Sequence, residues 1–376
     1  MASIKKVILF FPFNLLAHYL RSLVLADSYS KDEYTIYFLS SPTYNNFVKA
    51  HGYQTFDCLQ FDADYVMQCS RKFDFSWLNK TDLEQVLLSQ VTVLKDLKAD
   101  IAIGDVAPTL KMATALTGVT HISLLNGYMT RYYQYTRTIS KTHKAFPFIN
   151  LLPDPIAAPL VNLGEKLAFK QIQKTFNELR KKYGLESLPD YLHEIEGNLN
   201  YICDLPTLFP QQQLPSTFKF IGPLCYHYKE KDLNWLEEIP TAKPIICVSL
   251  GSTGDWEKLA FLNDAYYSRY TIVTAGDKKK YLSASHIIAR DFVNLDSVLQ
   301  KAQLLICHGG NGTIYHGIMN GVFMLCTSTN FEQEWNISAM ERNGYGLSAD
   351  HFTASKWKTQ IAARCSDYDN QLAKGQ

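Results

Sequence analysis

Cys307-His308-Gly309-Gly310-Asn311-Gly312-Thr313 follows the apolar run Leu304-Leu305-Ile306 and precedes a predicted helix from Ile314 to Asn320. The pattern is a buried strand, a flexible turn and a helix start. Three glycines in four positions let the backbone pass close to a ligand. Free N–H groups at the helix start, with the helix dipole behind them, favour an anion, and the anion that suits such a turn is a phosphate. His308 and the Thr313 hydroxyl are donors for two phosphate oxygens, and neither needs a metal. A glycine-rich turn also serves simply to turn a chain, so the residues beyond it must decide between the two roles.

Beyond it, Val322-Phe323-Met324-Leu325-Cys326 is a second apolar run, followed by Phe331-Glu332-Gln333-Glu334-Trp335-Asn336. A carboxylate beside a carboxamide at the end of a parallel strand can accept from and donate to neighbouring sugar hydroxyls. The same residue types are common in a solvated first helical turn. The order of these motifs resembles the UDP-glycosyltransferase and macrolide-glycosyltransferase superfamily, whose donor signature runs His-Gly-Gly-x-Gly-Thr, Gly-Val-Pro, then Asp-Gln and Asn. Here it reads His308 to Thr313, Gly321-Val322-Phe323, Glu332-Gln333 and Asn336. The resemblance implies an α/β protein of GT-B fold: two facing Rossmann-like domains with parallel sheets, acceptor on the first and nucleotide sugar on the second. It implies donor contacts from His308, Gly309, Gly310, Asn311, Gly312 and Thr313, and from Glu332 and Gln333. Gly251, Ser252 and Thr253, in a small-residue turn after the strand Pro244 to Leu250, join them. The co-substrate implied is a UDP-sugar, with no further cofactor and no metal.

The chain's 376 residues, 47% hydrophobic and 19% charged, suffice for two domains with substantial cores. A formal charge of +1 argues against nucleic acid as a partner. The eight cysteines form no Cys-x-x-Cys pair and read as buried thiols of a reducing compartment, which points to the cytoplasm. Lys5-Lys6 before Val7 to Phe11 mimics a leader peptide, but Pro12 and Asn14 interrupt it, and a first buried strand is the better reading. No segment approaches the roughly twenty apolar residues of a membrane span.

Strand Val7 to Phe11, turn Phe13 to Ala17 and helix His18 to Asp27 open the chain. His18 would stand above a strand's carboxyl end, where open parallel sheets bind ligands. A surface or capping role is its alternative. Strands at Tyr34–Leu39 and Gly52–Phe56 continue a βαβ rhythm, and Thr81 to Lys98 is an amphipathic helix. Asp62-Ala63-Asp64 has the spacing of a metal-binding pair but lies in a loop-like stretch. Asp105 ends the strand that starts at Asp100, on the same sheet edge as His18. A carboxylate there can fix an imidazole tautomer and leave the other nitrogen to take a hydroxyl proton, or it can cap the following helix, Pro108 to Leu116. In the superfamily this His is the catalytic base and this Asp its partner, so the resemblance implies His18 and Asp105 as catalytic residues. Ala17 stands where relatives usually carry Gly, Phe323 where they carry Pro, and His316 where many carry a ribose-binding Glu.

From Arg131 to Lys182, ten Lys or Arg face three Asp or Glu among interleaved aromatic residues. Such a stretch suits an acidic membrane face, at the inner side of a membrane, or a lipid-like acceptor, and equally a solvated face over an apolar wall. The boundaries expected are an acceptor domain at 1–222, a linker at 223–243, a donor domain at 244–356, and a C-terminal helix at 357–376 returning to the first domain. The function implied is inverting transfer of a hexose, with UDP-glucose the expected donor, to a hydroxyl of an apolar aromatic, polyketide or lipid acceptor. A nucleotide-sugar epimerase and a non-catalytic nucleotide-sugar binding protein are the competing readings.

Overall fold

The computed structural model describes residues 5–374 apart from 229–233, 238, 240, 241, 252 and 277–279. The chain divides into two compact units, Met1–Tyr226 and His227–Gln376, a boundary inside the linker expected from sequence.

In the first unit β1 (Lys6–Pro12), α1 (Leu16–Ala26), β2 (Tyr34–Leu39), α2 (Asn45–Ala50), β3 (Gln54–Phe56), α3 (Ala63–Arg71) and α4 (Lys80–Asp96) come first. Then follow β4 (Ile101–Asp105), α5 (Leu110–Thr117), β5 (Thr120–Leu125), α6 (Phe146–Ile149), α7 (Asp154–Lys182), α8 (Tyr191–Glu194), β6 (Leu199–Ile202) and β7 (Phe218–Phe220). The seven strands form one parallel sheet in the order β3-β2-β1-β4-β5-β6-β7. Along β1 side chains alternate between two cores. Leu9 and Phe11 join Leu83, Leu87 and Phe176 on one side, while Ile8 and Phe10 join Tyr19, Leu23 and Phe38 on the other. Both faces of the sheet are covered, which is why the strand reads as an unbroken apolar run.

The second unit runs α9 (Asn234–Glu237), β8 (Ile245–Ser249), β9 (Thr271–Ala275), β10 (Ile287–Arg290), α10 (Leu295–Leu299), β11 (Leu304–Cys307) and α11 (Asn311–Met319). It closes with β12 (Phe323–Cys326), α12 (Phe331–Arg342), β13 (Gly346–Ser348) and α13 (Ala354–Lys374). Its six strands are parallel in the order β10-β9-β8-β11-β12-β13. The C-terminal helix expected at 357–376 forms as α13, and its Trp357, Ile361 and Cys365 are buried in the second unit's core with Ile246, Ile272 and Leu325.

Two helix starts differ from the sequence reading in ways that matter. α1 begins at Leu16, so His18 lies inside its first turn. α11 begins at Asn311, because Gly310 takes the extended N-cap conformation (φ −66°, ψ 139°) and brings Gly312 and Thr313 into the first turn. The Asp62-Ala63-Asp64 stretch is a helix start as well: the Asp62 side chain accepts from the backbone N–H groups of Asp64 and Tyr65 at 2.9 and 3.1 Å.

Phe176 is 0% exposed and Phe148 is 74% exposed. Phe176→Ala is expected to remove about 3–5 kcal/mol from the first unit's unfolding free energy, as deletion of a buried aromatic ring does. Phe148→Ala should change it by less than about 0.5 kcal/mol. Urea titration of both variants against the parent checks the contrast.

Candidate active site

In each sheet the chain leaves its central strands in opposite directions at one point, β1/β4 in the first and β8/β11 in the second. The carboxyl ends of the strands then frame a crevice. In the first unit the register sets Pro12 beside Asp105, and the Phe13 N–H donates to the Asp105 backbone carbonyl at 2.9 Å. α1 starts just above, and His18 Nδ1 comes to 2.9 Å from Asp105 Oδ1. The helix that carries His18 also carries Arg21, one turn on, whose Nε and Nη2 donate to the two carboxylate oxygens of Asp105. Arg21 Nη1 donates to Asn126 Oδ1, at the end of β5, at 2.6 Å. Asp105 is 1% exposed and Arg21 is also buried.

Burial by itself would raise the pKa of the Asp105 carboxyl, but the Arg21 guanidinium and His18 outweigh it and hold the group well below the usual carboxylate range. A permanently ionised Asp105 takes the His18 Nδ1–H and leaves Nε2 as the lone-pair nitrogen, the one available to an incoming hydroxyl. The Phe13 ring meets the imidazole edge to face at 5.9 Å. Ala17 occupies the second position of α1, where a helical backbone has no need of the family's glycine. Beside the pair, Phe11, Phe13, Leu39, Phe61, Val86 and Val106 line a groove with Asn14 and Gln60. Asn14 Oδ1 and Gln60 Oε1 have no hydrogen-bond partner among the described residues.

In the second unit Ser249, the last residue of β8, pairs in register with Cys307, the last of β11. The His308 ring is buried between two glycines. A Cβ on Gly251 would come within 2.9 Å of Cε1, and one on Gly310 within 2.4 Å of Nε2. Gly309 has φ +80°, and a Cβ there would lie 2.6 Å from Ile337. The glycines therefore seat a side chain and a neighbouring helix in addition to freeing the backbone. Burial pushes His308 down to about 4, against a smaller upward effect of the Ser249 backbone. The ring is neutral at pH 7, and its Nδ1 has no partner in the described structure. Gly310 supplies no side-chain cap to α11, so the first-turn N–H groups of Asn311, Gly312 and Thr313 keep the positive end of the dipole.

Ser252 lies outside the described residues. Thr253 Oγ1 accepts from Gln333 Nε2 at 3.1 Å, and Gln333 Oε1 accepts from the Thr329 N–H at 2.7 Å. Gln333, expected on a sugar hydroxyl, is buried and ties α12 to the loop after β8, while Glu332 beside it is half-buried. Asn336 Nδ2 donates to the Gly309 carbonyl at 3.0 Å and so pins the glycine turn.

Sequence reasoning missed Arg21 and Asn126, and it met Asn336 only as part of the donor motif, without its hold on the glycine turn. Only Arg21 left a signal, an ionisable residue one helical turn from His18. It also missed a cluster: His227 Nδ1 and His316 Nδ1 lie 2.6 and 2.7 Å from the two oxygens of Asp296. Asn320 Nδ2 donates to the same carboxylate at 2.9 Å. The two imidazoles and the carboxylate bring three possible metal-ligand atoms within 4.8 Å. Linear spacing could not show this, because the residues come from α10, α11 and the segment before α9.

Residues 199–364 match the family model described as UDP-glucoronosyl and UDP-glucosyl transferase. A PGL/p-HBAD biosynthesis rhamnosyltransferase of Mycobacterium bovis (strain BCG / Pasteur 1173P2) is 25% identical over 357 residues, spanning 88% of this chain and 74% of the relative. A PGL/p-HBAD biosynthesis glycosyltransferase of Mycobacterium tuberculosis (strain ATCC 25177 / H37Ra) is 25% identical over 347 residues, spanning 88% and 78%. The solved glycotransferase of kitacinnamycin superposes with a TM-score of 0.70 at 16% identity, covering 98% of this chain and 95% of that one. The chain is a glycosyltransferase of the two-Rossmann-domain, GT-B class. Its donor-side motifs, which resemble those of the UDP-glycosyltransferase and macrolide-glycosyltransferase superfamily, lie within the stretch that the family model matches. Neither the epimerase nor the binding-protein reading draws support from these matches.

Two outcomes follow from the buried charges. Arg21→Leu strands an ionised Asp105 and is expected to cost about 3–5 kcal/mol of stability, whereas Arg21→Leu with Asp105→Leu should recover much of it. Chemical denaturation of the two variants measures the difference.

His308 binds a proton more weakly folded than unfolded, so its contribution is complete above its ordinary 6.5 and is lost as pH falls from there towards 4. Asp105, also depressed in the fold, adds a loss that sets in only below the ordinary carboxylate value of about 4. His308→Asn should flatten the upper part of the stability-against-pH curve and leave the lower part.

Proposed function

We propose that the enzyme transfers a hexose, with inversion, from a nucleoside diphosphate sugar to a hydroxyl of an apolar acceptor. The observation that carries this reading is the His18–Asp105 contact at the β1/β4 switch point. In the step proposed, the acceptor O–H gives its proton to His18 Nε2 and the oxygen forms a bond to the anomeric carbon. The bond from that carbon to the diphosphate breaks, and the electron pair leaves with the nucleoside diphosphate. Asp105 holds the imidazolium that results.

The leaving diphosphate gains charge, and the groups suited to it are the α11 N-terminus and the neutral His308, fixed donors that need no reorganisation. These donors support a step without a resident metal. Glu332 and the Gly251–Thr253 turn are the proposed neighbours of the sugar. UDP-glucose is the first donor to test. The rhamnosyltransferase relative makes a 6-deoxyhexose the second, and His316 in place of the ribose-binding Glu makes the nucleotide itself a variable.

For the acceptor, the groove beside His18 pairs aromatic walls with two unpartnered amide oxygens, Asn14 Oδ1 and Gln60 Oε1. An aromatic, polyketide or lipid molecule with hydroxyls suits such a lining.

Nucleoside diphosphate release from UDP-glucose and dTDP-rhamnose, with and without a panel of phenolic and lipid hydroxyl acceptors, tests this. Acceptor-dependent release is expected, reduced about 10²–10⁴-fold in His18→Ala, with the product's anomeric configuration opposite to the donor's by NMR. Equal release by parent and variant would remove His18 as base.

A further inference from the structure

α7 is two helices in one. Its second half is seated on the first unit's core through Phe169, Phe176 and Leu179, but no residue before Phe169 is buried. Among the described residues, six of the fourteen exposed large apolar side chains fall between Phe148 and Leu167: Phe148, Leu151, Ile156, Leu160, Leu163 and Leu167. Leu151 is 82% exposed and Leu167 is 60% exposed. At 100° per residue, Ile156, Leu160, Leu163 and Leu167 lie within about 60° of one another around the helix axis. Monomeric proteins seldom leave such a stripe to water.

The charge around the stripe identifies what covers it. Lys170, Lys174 and Lys181 continue the same helical face toward the C-terminus, and Lys144 and Lys166 flank it; all five are exposed, and none makes an ion pair in the described structure. The acids nearby are mostly occupied elsewhere. Glu165 pairs with Arg137 at 2.5 Å and Glu178 with Lys80 at 2.9 Å, which leaves Asp154. A second copy of this surface would offer the lysines little negative charge, since of its acids Glu165 and Glu178 are already paired. A bilayer with anionic headgroups matches both halves, taking the leucines at the acyl boundary and the lysines at the phosphates. No helix of the described residues is long and apolar enough to cross a membrane.

We propose that residues 144–181 form a membrane-docking surface, on which the apolar first half of α7 and the loop before it lie in the interface of an anionic bilayer. The surface gives physical form to the basic, aromatic stretch seen in the sequence, and it stands independently of which donor or acceptor the enzyme uses.

Flotation with vesicles of phosphatidylcholine alone, or mixed with phosphatidylglycerol, tests it on the full chain without any sugar transfer. The protein is expected to float with the anionic vesicles. Leu160→Ser with Leu163→Ser and Leu167→Ser should reduce binding roughly tenfold or more, and Lys170→Gln or Lys174→Gln roughly fivefold each. These positions are exposed, and an unchanged melting temperature shows that the variants fold. Absence of flotation, or flotation indifferent to the leucine variant, overturns the proposal. So does a dimer in size-exclusion chromatography that the leucine variant converts to monomer, since a second copy would then cover the stripe.

Discussion

The first unit depends on a carboxylate that has to stay charged without water. Asp105 sits at the end of β4 in the middle of the sheet, where an unpaired anion would cost several kcal/mol. Arg21 meets both of its oxygens and is in turn held by Asn126 at the end of β5. Side chains from α1, β4 and the end of β5 are thereby locked together at one sheet edge. His18 benefits from this arrangement, because the carboxylate that orients its imidazole cannot rotate away or take up a proton in the range where enzymes work. The Arg–Asp pair is thus a positioning device for the histidine.

The second unit uses the opposite electrostatic choice at the equivalent edge of its sheet. Its histidine, His308, is buried among glycines with no carboxylate beside it, so it is kept neutral by desolvation. A neutral ring is a directional donor, and its place next to the N-terminus of α11 suits the anion site proposed there. Gln333 and Asn336 hold the two glycine-bearing loops from beneath. The difference between the two histidines follows from their neighbours: His18 stands against the Asp105 carboxylate, whereas His308 is buried without a charged partner and stays neutral.

α7 shows how one helix can serve two solvents. Its second half buries aromatic rings in the first unit's core, while its first half leaves leucines exposed and its outer face ends in lysines. A helix that packed throughout would have offered water the charged face alone.

The sequence by itself determined the class of fold and the positions of most strands. Period-two burial on two-sided parallel strands produces unbroken apolar runs, and the turns between them carry glycine at fixed places. It also singled out His18, Asp105 and the His308 to Thr313 turn, since residue type and order survive in linear spacing. Tertiary structure decided what each of them does to its neighbours. The start of α11 moved to Asn311 because the Gly310 backbone is extended, a dihedral that composition does not reveal. Gln333 turned inward to Thr253 and Thr329, and α13 packed on its own unit, because both outcomes rest on which apolar and polar partners happen to face them in space. Arg21 with Asn126, and His227 with Asp296 and His316, come together from residues up to 105 positions apart. Such contacts are set by sheet order and helix register, so no local pattern in the chain could announce them.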